Sequence, residues 1–194
     1  MIPLPRGPLD PGDHVRRWYE RELGWATLPA PAQDPGAGPR LRVGDRFDVL
    51  EVPAEAGRAG LRHLAPASPV AVRGDRMRLL VAAGSAQELP GLLDWLEWGA
   101  LALDLTATGE GGVMEAPLPP GGPGGPGGRG VLQGAAVWLR PPEPGCAVEA
   151  SLPTLSAVGG VGGAPDLVRL VDTVATQCHR LRLRRACARP SVLP

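Results

Sequence analysis

Proline and glycine interrupt this chain so often that only short helices and strands can form along most of its length. The 194 residues include 28 glycines and 24 prolines. Proline ends helices and central strands, and glycine favours turns. The hydrophobic fraction of 43% is nevertheless enough for a core. We therefore expect short elements joined by proline- and glycine-rich loops, and not a disordered protein.

The balance of charges excludes a strongly basic protein. Twenty arginines face 20 acidic residues, for a formal net charge of zero, so no global field draws the chain to nucleic acid or to an anionic membrane. Lysine and asparagine do not occur. This bias indicates a high-GC bacterial genome, and the exclusive use of arginine is not by itself evidence for phosphate recognition.

Cysteine number and hydropathy indicate a cytoplasmic protein. Three cysteines, an odd number, do not suggest a disulfide framework, and we see no N-terminal signal pattern. The longest apolar stretch, 89–105, contains three acidic residues and is too polar to span a bilayer.

The pattern predicts a single domain over 13–188, preceded by a flexible proline-rich arm at 1–12 and followed by a tail at 189–194. A flexible glycine/proline loop is expected at 117–130.

Hydrophobic periodicity predicts several short elements within this domain. Helices are predicted over 14–23, 54–64, a segment opened by a Ser85–Glu88 capping box, and 166–187. Strands are predicted over 46–52, 69–73, 77–82, 101–105, 113–116 and 131–139, with an antiparallel hairpin at 69–82. Interspersed strands and helices indicate an α/β or α+β fold, a mixed sheet with helices packed on it.

Three acidic residues are the candidates for metal-dependent chemistry. Asp48 and Glu51 lie on one predicted strand, but three positions apart, so a regular strand directs them to opposite faces and only a bulge would bring them together. The simpler interpretation places these polar residues at a solvated edge of the strand. Asp104 alternates with apolar neighbours and could face a cleft.

Other chemistry-bearing residues have ordinary structural interpretations. The chain lacks the spacing of a structural metal site, so we predict no metal ligands. Cys178 lies on the apolar side of the C-terminal helix and is expected to be a small core residue. The arginines at the end of that helix suit its dipole, although they could also contact nucleic acid or a partner. They are Arg180, Arg182, Arg184 and Arg185.

Read together, several segments resemble one known family. The segments are 24–29 (GWATLP), 47–53 (FDVLEVP), 69–77 (PVAVRGDRM), 88–95 (ELPGLLDW), 103–117 and 138–142 (WLRPP). In this order they are similar to the N-terminal domains of bifunctional DNA primase–polymerases (prim-pol) of the archaeo-eukaryotic primase superfamily, and to small prim-pol-like proteins of high-GC bacteria. The resemblance spans about residues 14–142 and implies a primase–polymerase-like fold.

The resemblance implies three catalytic positions, and this chain departs from the family at two of them. The family's first motif is an acidic pair one residue apart, where this chain has Asp48 and Glu51. Its second motif contains a histidine, where this chain has 76–78 (RMR). Asp104 alone matches the third motif. We therefore expect a catalytically inactive, degenerate protein that binds a protein partner or nucleic acid.

In this interpretation Arg73, Arg76 and Arg78 are the candidate nucleic-acid or nucleotide contacts, and no cofactor is needed. The alternative is a metal-dependent nucleotidyltransferase, a DNA primase/polymerase with a diverged active site, which would use Asp48 or Glu51 with Asp104 and would require Mg²⁺ or Mn²⁺. A third possibility is an interaction protein that uses Trp95, Trp98 and the proline-rich loops.

Overall fold

A computed structural model describes residues 11–31, 38–121, 134–155 and 165–188. Within these residues the helices are α1 (Pro11–Arg17), α2 (Ala54–Gly60), α3 (Ser85–Trp95) and α4 (Leu167–Cys187). A π-helical turn, Trp18–Glu22, extends α1, and short 3₁₀ helices occupy Leu61–His63 and Val148–Ser151. The strands in the described part of the chain are β1 (Thr27–Leu28), β2 (Arg40–Arg42), β3 (Phe47–Pro53), β4 (Val70–Arg73), β5 (Arg76–Ala82), β6 (Thr106–Thr108), β7 (Val113–Glu115) and β8 (Val137–Arg140).

The strands form two sheets, where the sequence predicts one mixed sheet. The fold is α+β with helices packed on a sheet, which is one of the two fold classes that the sequence predicts. The larger sheet has the strand order β6-β3-β5-β4-β8, and the smaller has the order β1-β2-β7. All pairings between these strands are antiparallel, and an isolated parallel bridge joins Leu118 to Val137. The predicted hairpin is confirmed, with β4 paired to β5 around a turn in which Gly74 has a φ of 56°.

The five-stranded sheet is buried on both faces. One face packs against α2, α3 and α4, and its core includes Leu50, Leu79 and Leu170. The other face packs against α1 and the smaller sheet, and its core includes Tyr19 and Trp138. Burial on both faces explains why β3 and β5 have apolar residues on both of their faces.

The N-terminal helix starts earlier than the sequence predicts. It begins at Pro11, which the predicted arm included, and runs through the π-helical turn to Glu22. Proline is well tolerated in the first turn of a helix because its missing amide would have no partner there. Most of the predicted arm, 1–10, most of the loop 117–130 and the tail 189–194 lie outside the described residues.

Two local predictions are wrong. The segment 101–105 is not a strand, and β6 begins only after it, at Thr106. Its alternating leucines, Leu103 and Leu105, pack against the core on the helix side of the sheet. The Ser85–Glu88 capping box does not form either. The residue that precedes α3 is Gly84, with a φ of 93°, and no side chain of that residue can cap the helix.

The C-terminal helix agrees closely with its predicted span. Asp166 caps its start and accepts hydrogen bonds from the amides of Val168 (2.8 Å) and Arg169 (3.3 Å). Its apolar face is fully buried as far as Leu181, and every described residue from Arg182 onward is exposed. None of the described helices has the length and apolar character needed to cross a bilayer.

Candidate functional site

Asp48 is a buried structural residue on the helix-facing side of β3. Its side chain has no solvent exposure, and its Oδ2 accepts a hydrogen bond of 2.8 Å from the amide of Ala86 in the first turn of α3. A carboxylate at this position satisfies one of the free amides at the helix start and complements its dipole. The expectation that this residue lies at a solvated edge is therefore wrong.

The backbone at Gly109, directly after β6, packs closely against Asp48 and the start of α3. A Cβ placed on Gly109 would lie 2.8 Å from the Ala86 Cβ and 3.3 Å from the Asp48 Oδ2. Glycine is thus required at 109 for the backbone to approach the start of α3. Within the described residues, the Asp48 Oδ1 has no hydrogen-bond partner.

Glu51 lies on the opposite face of β3 and binds two arginines of the neighbouring strand. Arg78 donates to its Oε2 at 2.7 Å, and Arg76 donates to its Oε1 at 3.3 Å. Partial burial alone would raise the pKa of Glu51, but the hydrogen bonds and charges of Arg78 and Arg76 outweigh it and hold the pKa below its usual value. Glu51 is therefore an ion-pair residue of the β3–β5 ladder.

Asp104 lies before β6, where Arg76 connects it to Glu51. The Arg76 Nη1 is 2.6 Å from the Asp104 Oδ1, and the Arg185 Nη1 is 3.5 Å from the Oδ2. The backbone carbonyl of Asp104 also accepts a hydrogen bond from the Cys178 thiol, with the sulfur at 3.4 Å. These contacts join the start of β5, the segment 101–105 and α4 into one arginine–carboxylate network.

The three candidate acids do not form the carboxylate pair that two-metal catalysis needs. Asp48 and Glu51 lie on opposite faces of β3, and each is engaged by a different element. Glu51 and Asp104 are both paired with Arg76, which lies between them. Within the described parts of the chain, no group of three or more His, Cys, Asp or Glu residues could hold a metal ion. These residues therefore do not fit the metal ions that the prim-pol resemblance implies.

The structure places the three candidate nucleic-acid contacts in internal ion pairs. Arg73 lies 3.2 Å from a Glu115 carboxylate oxygen and donates to the Gly134 carbonyl at 2.9 Å. The side chains of Arg76 and Arg78 are only 24% and 14% exposed, and both contact Glu51. Arg73 and Arg76 thus donate to groups of the same chain, whereas the Nη1 of Arg78 is buried without a hydrogen-bond partner within the described residues.

The end of α4 instead presents arginines on two sides of the helix. Arg182 and Arg185 lie three positions apart and line one cleft, and Arg180 and Arg184, four positions apart, line another. Residues at these spacings share a side of a helix. The sequence showed this cluster, but the two rows become distinct only when the spacing is combined with the packing of α4 on the sheet.

We call the first depression the α4–loop cleft. It has a volume of about 540 Å³ and lies between α4 and the segment 101–105. Its lining residues are Ala102, Asp104, Cys178, Leu181, Arg182, Arg185 and Ala186. The Arg182 Nη1 donates to the Ala102 carbonyl at 2.8 Å, which holds the segment against the helix.

We call the second depression the α2–α4 cleft. It has a volume of about 480 Å³ and is lined by Glu55, Gln177, Arg180, Leu183 and Arg184. Arg184 forms an ion pair with Glu55 of α2, and Leu183 is 51% exposed. Within the described residues, Arg180 has no carboxylate within ion-pair distance.

The two tryptophans considered for protein interaction have different environments. Trp95 is 72% exposed at the end of α3. Trp98 donates its indole N–H to Asp172 of α4 at 3.0 Å, and its ring lies 6.0 Å from that of His179. Trp98 therefore helps to attach the segment after α3 to α4, whereas Trp95 contributes open apolar surface.

Comparison with known proteins adds no relative to this description: no family model, no curated protein and no solved structure matches the chain.

Proposed function

We propose that this chain is a prim-pol-like protein that binds nucleic acid at the end of α4 and has no phosphoryl-transfer activity. The observation that carries the proposal is the set of four exposed arginines within six residues of one helix, arranged in two rows beside two clefts. They are Arg180, Arg182, Arg184 and Arg185.

The environments of the candidate acids support a non-catalytic protein. Asp48 caps α3, Glu51 forms ion pairs within a strand ladder, and Asp104 pairs with Arg76. Two-metal phosphoryl transfer needs carboxylates that converge on two ions about 4 Å apart. Each of these acids has a structural role that accounts for its presence without a metal.

The geometry of α4 favours nucleic acid over an acidic protein as the partner. Arg180 and Arg184 lie in one row and are four residues apart, so at 1.5 Å per residue their Cα atoms are separated by roughly 6 Å along the helix axis. This separation is close to two steps of a phosphate backbone, which carries a charge about every 3.4 Å per strand. A guanidinium group can bind two phosphate oxygens at once through parallel hydrogen bonds. Leu183 is the single large apolar side chain exposed in this row within the described residues, which is little for a protein interface core.

The first experiment measures binding of a fluorescein-labelled single-stranded oligonucleotide of about 20 nucleotides by anisotropy across a series of salt concentrations. We expect affinity to fall steeply with salt, as for phosphate contacts, and to fall at least tenfold in the Arg180→Glu/Arg184→Glu variant. The matched control is Arg16→Glu/Arg21→Glu, which reverses two exposed arginines of the α1 region, on the other face of the sheet. Its affinity should change little.

Equal loss in both variants would show a non-specific charge effect and would overturn the assignment to α4. Absence of oligonucleotide binding by the wild-type protein would also overturn it. If the wild-type protein then bound an acidic protein through α4, that result would identify the other class of partner. A second assay measures primer extension with Mn²⁺ and deoxynucleoside triphosphates. Incorporation that Asp104→Ala abolishes would establish the nucleotidyltransferase alternative.

A further inference from the structure

We propose that the α4–loop cleft binds a small organic acid, an anion with a compact apolar body, whose charged group contacts Arg182 and Arg185. Cavities of roughly 300–1,000 Å³ that combine apolar walls with a few placed polar groups are typical small-molecule sites. At about 540 Å³ the cleft lies within this range. The proposal goes beyond nucleic-acid binding, because a phosphate backbone has no apolar body for the cleft to enclose.

The apolar part of the cleft comes from both of its walls. Leu181 and Ala186 contribute from α4, and Ala102 contributes from the facing segment. The Cys178 thiol lies at the buried side of the cleft and donates to the Asp104 carbonyl. Burial raises the pKa of Cys178 to about 11, so this wall stays uncharged at neutral pH. These surfaces suit a short hydrocarbon or aromatic body.

The charged part of the cleft has an excess of positive charge. Arg182 uses one guanidinium nitrogen on the Ala102 carbonyl, and a guanidinium group has five N–H donors in total. Within the described residues, no carboxylate lies within ion-pair distance of Arg182. It therefore retains its remaining N–H donors and its positive charge for an incoming anion.

Asp104 is the acidic group of this cleft, and its charge is largely balanced by Arg76, which lies outside the cleft. Its short contact, 2.6 Å, is to Arg76, which is not among the lining residues, whereas its contact with Arg185 is 3.5 Å. Charge-assisted hydrogen bonds between such groups are usually 2.7–2.9 Å long. Arg185 is thus only loosely held and can turn toward a ligand carboxylate without breaking the Arg76–Asp104 pair.

The test uses isothermal titration of the full chain with decanoate below its micelle concentration. Two comparison compounds separate the two halves of the site: decanamide has the apolar body without the charge, and acetate has the charge without the body. We expect decanoate to bind at least tenfold more tightly than either compound. Equal binding of decanamide, or no detectable binding of decanoate, would overturn the proposal.

Matched variants locate the site on one side of α4. Arg182→Ala/Arg185→Ala should weaken decanoate binding at least tenfold, and Ala186→Trp, at an exposed position that lines the cleft, should block it. Arg180→Ala/Arg184→Ala removes two arginines of the same helix from the α2–α4 cleft and should leave binding within about twofold of the wild type. Circular dichroism and thermal unfolding establish that each variant is folded. Unchanged binding in Arg182→Ala/Arg185→Ala, or equal loss in the Arg180/Arg184 control, would remove the assignment to this cleft.

The decanoate result is separable from nucleic-acid binding. If the wild-type protein binds decanoate but not the oligonucleotide, the proposed function fails and the cleft assignment stands. If it binds the oligonucleotide but not decanoate, the reverse holds.

Discussion

The carboxylate of Asp48 accepts a hydrogen bond of 2.8 Å from the amide of Ala86, so a strand residue caps a helix that begins 37 positions later. This contact replaces the local cap that Gly84 cannot provide. We predict that Asp48→Ala lowers the free energy of unfolding by about 1–3 kcal/mol, because the helix loses its cap and the partly buried amide of Ala86 loses its acceptor. Asp48→Asn retains an acceptor oxygen and should cost less. Urea denaturation monitored by circular dichroism measures both changes.

The matched control for this prediction is Asp45→Ala, which removes an exposed carboxylate from the loop before β3 and should change stability by less than about 0.5 kcal/mol. Equal stability of Asp48→Ala and Asp45→Ala would contradict the capping role.

Glu51 makes stability depend on pH in the acidic range. Its pKa is lower in the folded protein than the ordinary value of 4.5 because Arg78 and Arg76 outweigh the effect of burial. The unfolded chain therefore binds a proton more readily than the folded chain, and the stability that Glu51 contributes is lost as pH falls below about 4.5. We predict that Glu51→Gln is less stable than the wild type at pH 7 and that the difference shrinks toward pH 3. Urea midpoints measured across pH 3–7 check this, and a constant difference would contradict it.

Tyr19 is the single tyrosine of the chain, so its ionisation can be observed directly. Its hydroxyl donates to the Pro117 carbonyl at 2.7 Å and accepts from the Trp138 indole at 2.9 Å. Burial raises the pKa of Tyr19 well above 10, although the Trp138 hydrogen bond partly opposes this effect. Alkaline titration followed by absorbance near 295 nm should show no tyrosinate until the protein unfolds. Reversible ionisation near pH 10 in the folded protein would show that the hydroxyl is accessible.

Tyr19→Phe should destabilise the protein by about 1–3 kcal/mol. The substitution leaves a buried indole N–H and a buried carbonyl without their partner, while the ring still fills the same space. Thermal unfolding measures the loss, and a variant as stable as the wild type would show that water or another group satisfies both atoms.

The three cysteines should differ in their reaction with a thiol reagent. Cys146 and Cys187 are exposed, whereas Cys178 is buried with a pKa raised to about 11. Because the thiolate is the reactive form, we predict that two thiols per chain react rapidly with Ellman's reagent and that the third reacts on the timescale of unfolding. A Cys146→Ser/Cys187→Ser variant isolates Cys178, and rapid reaction of that variant would contradict its burial.

The elements with strong local signals could be predicted from the sequence. The spacing of apolar residues predicts α4 to within a residue, and the turn around Gly74 predicts the β4–β5 hairpin. Strand alternation correctly separates Asp48 from Glu51. The segment 101–105 misleads because its alternating leucines pack against the helix layer, and alternation alone does not distinguish such a segment from a strand.

The contacts of the candidate site depend on tertiary placement that local patterns do not contain. Arg76 reaches Glu51 and Asp104 because β5, β3 and the segment before β6 lie side by side. The cap from Asp48 requires that α3 start beside β3. The three- and four-residue spacings of the α4 arginines can be read from the sequence, but their division between two clefts depends on how α4 packs on the sheet.

The burial of the five-stranded sheet on both faces affects how the register of its strands is specified. In β3, Phe47 and Val49 face one core while Leu50 and Val52 face the other. If β3 slipped by one residue, apolar side chains would largely exchange places with other apolar side chains, so hydrophobic burial would discriminate only weakly against the shifted pairing. The shift would, however, carry Asp48 away from the start of α3 and move Glu51 from its position opposite Arg78. The polar contacts of Asp48 and Glu51 thus select one strand register among several that would bury similar apolar surface.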